Sequence, residues 1–265
     1  MDDPEALSAV HTLISIFWKY ECVPSVLKNS IIVPFLKNAE KNRLDPKNYR
    51  PIALLSNFLK LYQSVLDARL IKFLECNGVL ADEQYGFRPD RSLLDAHLVL
   101  AEAILSAKHR RGPRGGSNPK PLYLAFLDIR KAFDRVPRAL LWRKLHSLGI
   151  RGKLLRVIID QYTDTRGCVR VGDLLSRKFR IDTGVIQGSK LGPILFNLFV
   201  NDLVAKLNEL SGVGTITGDS LRAILYADDI CLLASNPSDL QALLNVCERW
   251  AEDNFMEFAP IRVKS

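Results

Sequence analysis

The chain has no Cys-x-x-Cys pair. Its five cysteines (Cys22, Cys76, Cys168, Cys231, Cys247) are dispersed, and its four histidines (His11, His97, His109, His146) show no zinc-ligand spacing. An odd number of scattered thiols suits packing roles in a reducing compartment, not a disulfide framework. No apolar run is long enough to span a bilayer. The start, Met1-Asp2-Asp3-Pro4-Glu5, is acidic and lacks a signal-peptide pattern. There is no internal repeat or heptad array. What remains is a globular chain of 265 residues, enough for one large or two modest subdomains. Thirty-seven Lys and Arg against 29 Asp and Glu give a formal charge of +8, which suits a polyanionic partner without requiring one.

Apolar periodicity predicts three helices early in the chain. Ala6, Leu7, Val10, Leu13, Ile14, Phe17 and Trp18 mark a face of the first. Phe58, Leu61, Tyr62, Val65, Leu66, Leu70 and Phe73 mark the second, and Leu93, Leu94, His97, Leu98, Ala101, Ile104 and Leu105 the third. Ile31–Leu36 reads as a strand, with Pro34 signalling an edge or irregularity. Lys37–Lys47 is a polar loop and Ile52–Leu55 a returning strand. Later helices are expected near Pro137–Leu148, with Gly149 just past the end, over Lys153–Tyr162, from Pro193 to about Leu210, and from Asn236-Pro237-Ser238-Asp239 to near Trp250. Val169–Val171 and Phe179–Ile181 read as short strands, and Ser211–Ser220 as a loop. Lys108–Pro121 is rich in Gly and Pro, with five Lys and Arg and no acid. A surface insertion fits it, with a nucleic-acid contact as the alternative. Strands mixed with helices indicate an α+β fold.

Two places carry acids against an apolar background. Leu122–Leu127 reads as a strand buried on both faces that ends in Asp128. Tyr226-Ala227-Asp228-Asp229 lies between the apolar runs Leu221–Leu225 and Ile230–Ala234, where the chain reverses without the Asn-Gly or Asp-Gly of common tight hairpins. Unpaired carboxylates beside a core want solvent or a cation. An ordinary surface turn is one reading; a hairpin tip presenting carboxylates to Mg²⁺ is the other. Asp128 and Asp228 are 100 residues apart, so only a tertiary fold could join them. Mg²⁺ bridges one or two carboxylates to substrate phosphates, and polymerases use two such ions.

These segments resemble reverse transcriptases. Tyr226-Ala227-Asp228-Asp229 is similar to their YxDD box, Asp128-Ile129-Arg130-Lys131-Ala132-Phe133-Asp134 to their first catalytic motif, and Gly184–Pro193 to the motif between the two. Asn48–Ser56 and Gln84-Tyr85-Gly86-Phe87-Arg88-Pro89 fit the non-LTR (LINE-like) retrotransposon subgroup, and the match runs from about Val23 onward with motifs in family order.

The resemblance implies right-hand polymerase fingers and palm, with an antiparallel palm sheet packed on helices and no thumb. Residues 1–121 would form an N-terminal extension and fingers, including the basic loop 108–121; residues 122–265 would be mainly palm. It implies an RNA-directed DNA polymerase transferring nucleotides from dNTP to a primer 3′-hydroxyl, with RNA template and DNA primer as partners and no membrane. A catalytically inactive nucleic-acid-binding fragment or domesticated scaffold is the alternative. Asp128, Asp228 and Asp229 would be catalytic and, with Ile129, hold Mg²⁺, or Mn²⁺ in its place. Asp134 would be structural or a helix cap.

Phe133 would be the steric gate against a ribose 2′-hydroxyl. Gln187, Gly188 and Tyr226 would meet the nucleotide, Arg50 would grip its triphosphate with Lys60 and Lys37 as weaker candidates, and Arg88 would contact template backbone. At the end, Ala259-Pro260-Ile261-Arg262 replaces the family's Asn-Pro-x-Lys, with Lys264 out of register. Arg262 is a poor proton donor. The nucleus or cytoplasm of a eukaryotic host is the expected location.

Overall fold

A computed structural model describes residues 3–109, 121–214 and 220–259. Residues 110–120 of the basic loop lie outside these, as do Pro260, Ile261, Arg262 and Lys264. The helices are α1 (Pro4–Tyr20), α2 (Asn57–Cys76), α3 (Leu93–His109), α4 (Ala132–Arg135), α5 (Arg138–Ser147), α6 (Gly152–Tyr162), α7 (Gly192–Leu207) and α8 (Pro237–Asp253). The strands are β1 (Asn29–Leu36), β2 (Tyr49–Leu54), β3 (Tyr123–Asp128), β4 (Arg166–Val171), β5 (Leu174–Leu175), β6 (Phe179–Arg180), β7 (Val213–Gly214), β8 (Ser220–Leu221), β9 (Ala223–Tyr226) and β10 (Asp229–Ala234). Contacts divide the chain into two units, Met1–Lys72 with Arg138–Gly192, and Phe73–Pro137 with Pro193–Ser265.

The first unit is built on a five-stranded sheet, ordered β2-β1-β4-β5, with β6 also on β4. β1 pairs antiparallel with β2 along its length but parallel with β4 only over Asn29–Ile32. Pro34 lies beyond that parallel pairing and faces Pro51 on β2. Two prolines can oppose each other only at a non-hydrogen-bonded pair, where the absent N–H groups would have pointed away from the partner strand. Pro34 is at a local edge: β1 lies between β2 and β4, but its pairing with β4 stops at Ile32. The ring of Phe17 on α1 meets Tyr62 on α2 edge-on at 5.6 Å. Of the α1 face expected from periodicity, only Phe17 is fully buried. Lys28 is buried and neutralised by Asp160 at 2.8 Å, whose other oxygen accepts from the Val23 N–H.

The second unit carries the antiparallel sheet β3-β10-β9. Register puts Leu124, Phe126 and Asp128 on one face with Asp229, Cys231, Leu233, Ile224 and Tyr226. α3 covers part of that face, packing Ala96 and Ala103 against Ile224, Cys231 and Leu233. On the other face Leu127, Ile230, Leu225 and Leu232 are buried, with Ala125 and Tyr123 partly so. α8 packs on β10 and β3 and is fixed to α7 by the Phe199–Trp250 ring contact and by the Trp250 Nε1–H donating to Asp202. Asn236 caps α8 by accepting from the Asp239 N–H.

Two local expectations, the buried face of α3 and the loop at Ser211–Ser220, differ in the structure. α3 forms where expected, but its sheet-facing stripe is Ala96, Val99, Leu100 and Ala103, while Leu93, Leu94, Leu98 and Leu105 are exposed. The helix is apolar on both sides, so periodicity could not choose between them. The helix expected near Pro137–Leu148 forms as α5, with the one-turn helix α4 ahead of it. Ser211–Ser220 is not all loop: its ends pair as β7 and β8.

Candidate active site

Asp128 ends β3 and Asp229 begins β10, and the two are direct cross-strand partners. Such partners have Cα atoms about 4.5–5.5 Å apart. Like charges directly opposite repel. Accordingly, the Asp229 carboxyl is raised above the ordinary Asp range, first by burial and then by the charge of Asp128. Among the described residues neither Asp128 nor Asp229 has a Lys or Arg ion-pair partner. Asp228 sits beside them in the two-residue connection between β9 and β10, and its carbonyl accepts from the Ile129 N–H. Ile129 itself is buried, so only its carbonyl could serve a ligand.

The hairpin tip is held against its local preference. Ala227 has φ of +56°, a left-handed conformation that costs an L-residue energy. Gln84 holds it there. Its buried side-chain oxygen accepts from the N–H of Ala227 and of Gly86, both at 2.9 Å. Backbone pairing of Glu83 and Tyr85 with Leu225 lays this segment along β9. A Cβ on Gly86 would come 2.5 Å from the Ala227 nitrogen, so the close approach requires glycine. Asn197 on α7 donates to the Gly86 carbonyl at 2.7 Å. Gln84 and Asn197 were missed in the sequence. The only signal was that Gln84 opens a segment already singled out.

A second backing comes from the chain after α8. Ala259 N–H donates to the Asp128 carbonyl at 2.7 Å and Arg130 N–H to the Glu257 carbonyl at 2.8 Å. Phe133, on α4, stacks on Phe196 of α7 with ring centroids 4.8 Å apart. Tyr226 lies on the acid face of the sheet, tilted against Phe87 at 6.5 Å. Asp134 lies in the first turn of α4.

Other expected residues belong to the first unit. Arg50 is exposed on β2, opposite Phe35. Lys60 is half-buried on α2, and Lys37 follows β1 and donates to the Lys47 carbonyl. The Gln187 carbonyl accepts from Ala53 N–H at 2.9 Å, and Gly188, at φ +104°, packs so closely on the Ala53 carbonyl that a Cβ would overlap it. The Gln-Gly turn is thus clipped to β2. Buried Gln63 accepts from the Ser189 hydroxyl and the Lys190 N–H.

Arg88 is a correction. It was expected on template backbone, but its side chain is 5% exposed and grips Glu75 bidentately at 3.0 and 2.7 Å. It also donates to the Ala81 carbonyl at 2.7 Å. A guanidinium whose donors are directed inward has a packing role here.

An antiparallel sheet that presents carboxylates from a strand end and a neighbouring hairpin tip, with helices behind it, is the palm of a right-hand polymerase. The comparisons make this specific. A family profile for reverse transcriptase (RNA-dependent DNA polymerase) matches residues 36–264, and the chain belongs to that family, in its non-LTR retrotransposon group. It is 33% identical to the Pol polyprotein of the type-1 retrotransposable element R2 of Popillia japonica, over 76% of this chain and 27% of that protein. It is 29% identical to the RNA-directed DNA polymerase of the mobile element jockey of Drosophila funebris, over 86% of this chain and 24% of that protein. The chain therefore spans about a quarter of the length of these curated relatives. Among solved structures, apo telomerase from Candida tropicalis shares the fold, with TM-score 0.62 at 15% identity, covering 94% of this chain and 48% of that one.

Proposed function

We propose that this chain is a polymerase domain that extends a DNA primer on an RNA template with deoxynucleoside triphosphates, working with Mg²⁺ in the nucleus or cytoplasm of a eukaryotic host. The observation that carries the reading is the cross-strand pair Asp128 and Asp229 beside Asp228 in a strained turn. No three-carboxylate cage closes among the described residues. Mg²⁺ does not need one, since it keeps waters and shares its shell with substrate phosphates. Two opposed carboxylates with no Lys or Arg partner among the described residues fit such an ion. Asp128, Asp228 and the Ile129 carbonyl would hold it, with Asp229 alongside. Bound there, it would lower the pKa of the primer hydroxyl and neutralise charge on the transferring phosphoryl group.

The remaining roles belong to the protein's own groups. Phe133 would exclude a 2′-hydroxyl by shape. Gly188 would let the backbone approach the nucleotide, and Gln187 would offer both a donor and an acceptor. Arg50, with Lys60, would grip phosphate, and Tyr226 would lie beside the bound nucleotide. Substrates, template and primer are drawn from the relatives' names together with this geometry.

The test is RNA-templated primer extension by the chain and by Asp128→Asn. The substitution should lower extension by at least about 100-fold. Salt-sensitive RNA binding without extension under any divalent metal would overturn the proposal in favour of a binding module.

A further inference from the structure

We infer that Phe196 sets sugar discrimination by holding the Phe133 ring rigid, with Glu257 fixing the turn that carries it. The inference rests on Phe133 acting as the gate proposed above. Shape alone rejects an added hydroxyl only modestly, and less still where the wall can yield. Phe133 stands on α4, a helix of four residues too short to be firm by itself. Its firmness has to come from contacts.

Two are visible. Phe133 stacks on Phe196 with centroids 4.8 Å apart and planes at 18°. Phe196 is fully buried, and the next residue, Asn197, ties α7 to the Gly86 carbonyl at 2.7 Å. The Phe196 ring is therefore a fixed plane. Phe133 is half-buried, so its edges and the face turned from Phe196 are what it can offer a ligand.

The second contact is at the turn itself. Arg130 and Arg135 flank the turn, and both reach the Glu257 carboxylate, at 2.8 and 2.5 Å. Exposed ion pairs are individually weak. Here one carboxylate spans both ends of the turn, and the Arg130 N–H to Glu257 carbonyl bond reinforces it. Together with the positive φ of Lys131 at the entry, this leaves the turn little freedom. Neither Phe196 nor Glu257 would touch the sugar; both are positioning residues.

The experiment measures incorporation of ribo- against deoxyribonucleotides on an RNA template. It compares the full chain with Phe133→Val, Phe196→Leu, Glu257→Gln and the Phe133→Val/Phe196→Leu double variant. Phe196→Leu should lose about tenfold of the deoxy preference while keeping kcat/KM for deoxynucleotides within a few fold. Glu257→Gln should lose less, and the double variant no more than Phe133→Val alone. If Phe133→Val relaxes the preference and the other two single variants leave it unchanged, this inference fails and the gate stands. If Phe133→Val itself leaves the preference unchanged, the gate reading fails and takes the inference with it. Should Phe196→Leu not fold, the surface variant Glu257→Gln decides: an unchanged preference overturns the inference.

Discussion

Asp67 is partly buried on α2, and burial pushes its carboxyl up to about 6, with Lys190 opposing the shift. An acid that holds its proton more tightly when folded costs stability once ionised. That cost is absent below the ordinary Asp value of 3.8, grows as pH rises, and is complete above about 6. Asp67→Asn should therefore raise Tm above that pH by about 2–4 °C, for a gain of about 1 kcal/mol after discounting for solvent contact. The difference should vanish in melts near pH 3. Arg88→Ala should act in the opposite sense, costing about 2–3 kcal/mol, because it leaves Glu75 and buried carbonyls without their donor. Chemical denaturation checks it, and a loss under 0.5 kcal/mol, about the size of an ordinary surface change, would put Arg88 back on the surface. At this scale the acids were legible because charge interrupts apolar runs. Arg88 and Gln84 were not, because their roles depend on whether a side chain turns inward, which local sequence does not encode.

The β9–β10 turn is the element on which the site depends. Its left-handed Ala227 has no Cβ-free residue to ease it, and its conformation is imposed by Gln84 and by the glycine at position 86. Ala227→Gly should be neutral or stabilise by up to about 1 kcal/mol. Gly86→Ala should destabilise and depress extension, since its Cβ would press on the turn. Melts and extension rates of the two variants should move apart; equal effects would mean that the turn is not held by its backing. Helix positions were readable from periodicity, and the Asn236 cap and Pro34 fell where their chemistry put them. Helix faces were less readable. α3 has four Leu on its exposed side, while its packed side is Ala96, Val99, Leu100 and Ala103, so size and hydrophobicity favoured the wrong stripe.

On the scale of the whole molecule, each contact unit draws on two separate chain segments. No sequence window contains either one, and only the ordered motifs link the segments in advance. The family was legible from those motifs, whereas the backing of the acids by residues 83–86 and 257–259 required the fold. The most direct measurement is extension of a DNA primer on an RNA template with Mg²⁺, by this chain beside Asp228→Asn. The account predicts extension by the first and loss of at least about 100-fold in the second. Equal extension by both would contradict it, because the carboxylate at the tip of the turn would then have no part in the chemistry.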